Sequence, residues 1–91
     1  MKNKWTVYIV KCKDKTFYTG ISNDVSKRIE KHNAGKGAKY IIMKRRPVKL
    51  MYLEPKRSIG DALSRELKIK QMTKAKKIEL IAKYKTKKLV S

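Results

Sequence analysis

Two stretches decide the fold of this chain: Trp5 to Cys12, which runs WTVYIVKC, and Phe17 to Asn33, which runs FYTGISNDVSKRIEKHN. The first, and the second as far as Ser22, are rich in β-branched and aromatic residues. Lys13, Asp14, Lys15 and Thr16 lie between them as a turn, so the spacing predicts a β-hairpin. Side chains alternate along a strand. Trp5, Val7 and Ile9 therefore share one face and Thr6, Tyr8 and Val10 the other, while Tyr18 and Gly20 oppose Phe17, Thr19 and Ile21. Asn23 and Asp24 then offer a side-chain oxygen to cap a helix from Val25 to Asn33, and Gly35 can take the left-handed conformation that ends it.

Outward from this core, Gly35 to Lys39 reads as a flexible basic loop. Lys44 to Pro47 is another, with Pro47 breaking any helix begun at Tyr40 to Met43. Val48 to Leu53 resembles a third strand ended by Pro55. Ser58, with Asp61 three residues on, caps a helix predicted from Ile59 to Met72. Thr73 caps a last helix, whose apolar stripe of Ile78, Ile81 and Ala82 is surrounded by lysines. The expectation is one α/β domain over 1–91, a small three-stranded antiparallel or mixed sheet flanked by helices, with 73–91 a basic C-terminal helix and tail.

The chain has 91 residues, room for one core, and carries 26 Lys and Arg against 7 Asp and Glu, a formal charge of +19. Self-repulsion on this scale points to a polyanionic partner, nucleic acid first. Packing of ribosomal or nucleoid nucleic acid is the bland alternative. A membrane surface fits less well, because the apolar positions are needed for the core. The lone Cys12 excludes an internal disulfide, and no Cys/His cluster has zinc-site spacing. Lys11 cuts short the only apolar run near the N-terminus, and no stretch approaches the ~20 apolar residues of a membrane span. The expected location is the cytoplasm, including the nucleoid.

Two polar anomalies suggest chemistry. On the helix after Ser58, Ile59, Ala62, Leu63, Leu67 and Ile69 define one apolar arc with Glu66 near its centre. A carboxylate facing a core is costly unless it is paired, protonated or bound to a metal; the structural alternative is a salt bridge to Lys70 one turn on. On the helix after Asp24, Val25 and Ile29 mark the inward face, and Arg28 and His32 flank it. The structural alternative there is a solvated Arg and a hydrogen-bonded core histidine.

The ordered set of Tyr8 in Val7-Tyr8-Ile9, then Tyr18-Thr19-Gly20 ten residues on, helical Arg28 and late helical Glu66 resembles the GIY-YIG nuclease domain over most of the chain. The stretch from Phe17 to Asn33, followed by Gly35 to Lys39, is similar to short standalone bacterial members, themselves similar to the Slx-type structure-specific nucleases. The first triplet reads Thr6-Val7-Tyr8, without its Gly and Ile. His32 occupies a position where several branches carry tyrosine and the Slx-like branch histidine.

The resemblance implies a metal-dependent DNA endonuclease in which Glu66 is the sole protein ligand of one Mg²⁺ or Mn²⁺ ion. Arg28 would hold a phosphate oxygen, and Tyr8 or His32 would be the general base. Tyr18 would orient water or phosphate, and Gly20 would permit close backbone approach. Asn33, Lys36, Lys39, Arg45 and Arg46 are expected to touch the DNA backbone. Branched or flapped DNA in repair or recombination is an analogy with the Slx-like branch. A basic nucleic-acid-binding protein that keeps the fold without using its site is the alternative, and an adaptor recruiting another nuclease a third. Nothing in the residues names a protein partner.

Overall fold

The computed structural model describes residues 4–37, 41 and 45–90, with side chains described as far as 87. Strand β1 (Trp5–Lys11) pairs antiparallel with β2 (Phe17–Ser22), so that Val7 lies across from Ile21, Tyr8 from Gly20 and Ile9 from Thr19. The turn between them is closed by a hydrogen bond from the Cys12 N–H to the Thr16 carbonyl at 2.8 Å. The Asp14 carboxylate reinforces it by accepting from the Thr16 hydroxyl at 2.6 Å.

β3 (Lys49–Lys56) lies antiparallel on the other side of β1, giving the order β2-β1-β3. The sheet, open to either arrangement from the sequence, is thus antiparallel throughout. β3 runs through Pro55, where the sequence reading ended the strand. It is an edge strand with one side of its backbone unpaired, and a residue without an N–H is tolerated there. Its start is set differently as well, because the Val48 N–H donates to the Asn33 side-chain oxygen at 2.7 Å instead of entering the ladder.

Alternation gives the sheet two faces, each covered by helix. Val7, Ile9 and Tyr52 pack with Ala62 and Ile69 of α2 (Ile59–Lys70) and with Ile81 of α3 (Lys74–Val90). Tyr8, Val10 and Cys12 face the other way, where Ile41 and Val48 join them and Val25 and Ile29 of α1 (Val25–Asn33) close the layer. Each helix begins at an oxygen cap. Asp24 accepts from the Lys27 N–H at 3.2 Å, Ser58 from that of Asp61 at 3.1 Å, and Thr73 from that of Lys76 at 3.2 Å. Each cap satisfies a backbone donor the helix itself leaves unpaired. Gly35 follows α1 with φ +81°, the left-handed conformation its sequence position suggested.

The inward face of α2 is narrower than its apolar pattern. Ala62 and Ile69 are buried, but Ile59, Leu63 and Leu67 are about half exposed. The small sheet reaches only one stripe of the helix, so Glu66 stands at the edge of the buried stripe rather than at its centre. A charged network fixes the neighbouring stripe. Arg65 of α2 meets Glu54 of β3 at 3.1 Å, Lys56 meets the same carboxylate at 2.7 Å, and the Tyr52 hydroxyl donates to it. Burial alone would raise the Glu54 carboxyl, but hydrogen bonds from Lys56, Tyr52 and Arg65 outweigh it and hold the group below the usual carboxylate range. No helix among the described residues is long and apolar enough to cross a membrane.

Candidate active site

The centre of the site is Tyr8, on the central strand and without exposed surface. Gly20 lies directly across from it on β2. A Cβ there would sit 2.6 Å from the Tyr8 hydroxyl oxygen and 3.1 Å from Cε2 of Tyr18. Glycine is therefore what lets the two phenols share one face of the hairpin.

α1 supplies the next two groups. Val25 and Ile29 seat the helix on the sheet, and His32, one turn beyond Arg28, is carried fully inside. Its Nε2 lies 2.8 Å from the Tyr8 hydroxyl oxygen. The Tyr18 ring completes the cluster, its centroid 5.3 Å from that of His32 and 6.3 Å from that of Tyr8.

Arg28, half-buried at the rim, acts electrostatically on the same phenol, and the Glu66 carboxylate acts on it from α2 in the opposite sense. Burial, then the neighbouring Tyr18, push the Tyr8 phenol up to about 12 against the pull of Arg28. Burial first, and the Arg28 charge second, push His32 below its ordinary value. Both partners are thus neutral near pH 7. The contact has two senses: the phenol O–H donates to Nε2 when the imidazole proton is on Nδ1, and Nε2–H donates to the phenol oxygen in the other tautomer.

Glu66 keeps 17% of its side-chain surface and lies 3.4 Å from Lys70, the i+4 ion pair that the structural alternative called for. Tyr8, Tyr18, Arg28, His32 and Glu66 are therefore brought together, the last paired as well as inward. Among the described residues no group of three or more His, Cys, Asp or Glu could cage a metal ion. The donor set fits a hard divalent cation that keeps most of its waters and takes one carboxylate, and it does not fit zinc.

The expected backbone-contact residues divide. Lys36 is exposed beyond α1, and Lys39 lies outside the described residues. Asn33 spends its side-chain oxygen on the Val48 N–H. The Arg45 Nε donates to Asp14 at 2.9 Å. The Arg46 Nη1 reaches the Asn33 carbonyl at 3.5 Å, and its guanidinium lies where a side chain on Gly35 would otherwise stand. These three tie the segment before β3 to the hairpin turn and the end of α1.

Gly37 belongs to the site although its sequence context reads only as flexible loop. A Cβ there would fall 2.2 Å from Nδ1 of His32, so its backbone forms the wall behind the imidazole. The recurrent glycines of Gly35-Lys36-Gly37 were the available signal, with nothing in them to name the histidine.

Comparison with known proteins gives the family. Residues 4–79 match the family model described as the GIY-YIG catalytic domain. The chain belongs to the GIY-YIG family. It is 53% identical over 75 residues to a UPF0213 protein of Staphylococcus aureus (strain Mu3 / ATCC 700698), covering 82% of this chain and 90% of that one. A UPF0213 protein of Staphylococcus saprophyticus is 50% identical over 80 residues, covering 88% and 96%. Among solved structures, a solution NMR structure of a protein from E. faecalis superposes with a TM-score of 0.64 at 30% identity, covering 94% of this chain and 93% of that one. That of a UPF0213 protein from Bacillus halodurans gives 0.56 at 39% identity, covering 87% and 83%. The GIY-YIG domain is a nuclease domain, and its catalytic-domain model spans every residue of the cluster around Tyr8.

Proposed function

We propose that this GIY-YIG domain is a divalent-metal-dependent endonuclease that hydrolyses phosphodiester bonds of DNA. Its substrates would be branched or flapped intermediates of repair and recombination, handled in the cytoplasm at the nucleoid. The observation that carries the chemistry is the 2.8 Å contact between the Tyr8 hydroxyl and His32 Nε2, with Arg28 and Glu66 acting on the same phenol. The substrate geometry rests on the resemblance to the Slx-like branch.

With the Tyr8 phenol held at about 12, free phenolate at pH 7 amounts to roughly one part in 10⁵. A phenol acting alone would be a poor base. The histidine removes that difficulty in the tautomer whose ring proton is on Nδ1. The attacking water gives its proton to the phenolic oxygen as the phenol's own proton moves to Nε2, leaving a neutral phenol and an imidazolium. Water oxygen bonds to phosphorus, the bond to the leaving oxygen breaks, and solvent reprotonates the leaving group.

Arg28 holds a non-bridging phosphate oxygen, its charge independent of pH. Glu66 would hold one Mg²⁺ or Mn²⁺ ion, which when bound neutralises charge on the phosphoryl and leaving oxygens. Its pairing with the half-exposed Lys70 is weak enough to give way, since such pairs contribute only ~0–1 kcal/mol. Tyr18, Arg28 and Glu66 form the half-buried rim, with Tyr8 and His32 beneath it. Substrate must draw this rim aside to bring water to the phenol.

A second reading, a DNA-binding protein that does not cut, is favoured by one specific feature: the burial of Tyr8 and His32 beneath a rim whose carboxylate is already paired. Labelled single-stranded, duplex, flap and junction DNA incubated with Mg²⁺, Mn²⁺ or EDTA separates the two. The nuclease reading expects cutting that EDTA abolishes and that Glu66→Gln reduces by orders of magnitude while binding survives. Binding without cutting on every substrate supports the second reading.

A further inference from the structure

The other face of the sheet carries a groove that the proposed cleavage chemistry does not use. Between the β1–β2 hairpin and α3 runs an open groove of about 420 Å³. Its floor is apolar, formed by Phe17, Met51 and Ile78, the last half exposed to solvent. Its rim is cationic on both sides, with Lys11 and Lys15 from the hairpin and Lys74 and Lys85 from α3. No carboxylate lines the groove, and among the described residues none of the four lysines has an ion-pair partner. The Lys74 ammonium stands 5.9 Å from the centroid of the Phe17 ring, so charge and aromatic surface meet at one end.

Four unneutralised cations around a floor of aromatic and aliphatic side chains suit a ligand that alternates anionic groups with flat apolar ones. A single-stranded nucleic acid has that pattern: its phosphates meet the rim, and its bases, unpaired and with open faces, meet the floor. Duplex DNA presents phosphates but keeps its base faces stacked, so it can use the rim and leave the floor uncovered. A groove of this volume holds one or two nucleotides, within the ~300–1,000 Å³ range of small-molecule sites.

Phe17 and Tyr18 are neighbours on β2 with side chains on opposite faces, one in this groove and one at the catalytic rim. A strand lying in the groove is therefore held one sheet thickness from the site. We infer that the groove between the hairpin and α3 is a second nucleic-acid site that binds a single-stranded arm of the substrate. This rests on the proposed action on nucleic acid, and specifically on its binding half.

The test measures binding alone. A fluorescein-labelled oligothymidine of about twelve nucleotides and a duplex of equal length are titrated by anisotropy in EDTA with the full-length chain. The variants are Lys74→Glu/Lys85→Glu, Ile78→Glu, and Lys68→Glu/Lys76→Glu, a charge-matched pair on exposed helix positions outside the groove. Circular dichroism checks that each is folded. The groove double variant should lose at least about tenfold more affinity for the single strand than the control pair, and Ile78→Glu should weaken the single strand more than the duplex.

Equal losses in the two double variants mean that charge acts diffusely and overturn the groove. So does intact single-strand binding in the groove variant accompanied by loss of binding to phosphatidylserine vesicles, which would make the ligand a membrane surface. Wild-type protein that binds no nucleic acid defeats the underlying reading as well. Binding without cutting leaves the groove standing and defeats only the nuclease.

Discussion

Tyr8 and His32 are each kept neutral by burial, and their shifts act on stability at opposite ends of the pH scale. His32 is lowered on folding from its ordinary value of 6.5, so the folded chain binds fewer protons than the unfolded one as pH falls. Stability is fully present above about pH 6.5 and declines below it, with a limiting slope of about 1.4 kcal/mol per pH unit for one proton. Tyr8 is raised from 10.0 to about 12, so its contribution is complete below pH 10 and lost as pH climbs towards 12. Thermal melts from pH 5 to 7 should show the acid limb in wild type and a shallower one in His32→Gln; parallel curves would remove His32 as its source. Tyr8→Phe leaves Nε2 without its hydrogen-bond partner, which should cost about 1–3 kcal/mol and reduce cutting by orders of magnitude. On the proposed relay neutral imidazole is the working form, so cleavage by wild type should rise through the acid range and level off by neutral pH. Gly37→Ala should disable the site from behind, forcing a Cβ towards Nδ1 of His32, with cutting lost more steeply than the melting temperature falls. Helix spacing made the inward lean of Arg28 and His32 legible in the sequence, and strand alternation put Tyr8 on the face shared with Thr6 and Val10. The wall at Gly37, the tether from Asn33 to Val48 and the pairing of Arg45 with Asp14 were not, because residues far apart in the chain meet there without any periodic signal.

α2 carries Glu66, and its seating is set by its neighbour Arg65, which reaches into the carboxylate of Glu54 on β3. Consecutive helical residues point about 100° apart, so a helix fixed through Arg65 has the direction of Glu66 fixed too. Glu54→Gln keeps the shape but removes the charge that holds Lys56 and Arg65. It should cost about 1–3 kcal/mol, or roughly 4–20 °C in melting temperature for a domain of this size. The Glu54 carboxyl is lowered in the folded chain, so its stabilisation is present above the ordinary carboxylate range and lost as pH falls through it. The wild-type and Glu54→Gln melts should therefore converge in acid; a gap unchanged from pH 7 to 3 would assign the loss to packing. Cap signals located the starts of all three helices, since Asp24, Ser58 and Thr73 act on backbone only three residues away. The buried stripe of α2 was harder to read. Leu63 and Leu67 look as inward as Ala62 and Ile69 on a helical projection, and only the width of a three-stranded sheet decides that they stay half outside. Pro55 misled for a related reason, because it ends a central strand but not an edge one, and strand order is not written in local sequence.

At the scale of the whole molecule, a charge of +19 on 91 residues includes four lysines around a groove on the sheet face opposite Tyr8. Composition announced the polyanion, but not which cations are available to it. Arg45 is committed to Asp14 and Arg46 to the end of α1, whereas the groove lysines Lys11, Lys15, Lys74 and Lys85 have no ion-pair partner among the described residues. Salt dependence counts the cations that displace counterions, with a slope of log affinity against log salt of about −0.7 per phosphate for single strands and −0.9 for duplex. Four rim lysines alone then predict a slope near −3 for a short single strand, and every further contact steepens it. A duplex contacting ~6–10 phosphates across the chain should lose about 10³- to 10⁵-fold in affinity between roughly 50 and 200 mM salt. Removing two groove charges by Lys74→Gln/Lys85→Gln should flatten the single-strand slope by about 1.4, while Lys68→Gln/Lys76→Gln should leave it nearly unchanged. Anisotropy titrations at four or more salt concentrations measure these slopes. A nearly flat wild-type line would show that phosphate neutralisation is not what holds the strand, and a common slope for both double variants would show that the groove has no privileged share in it.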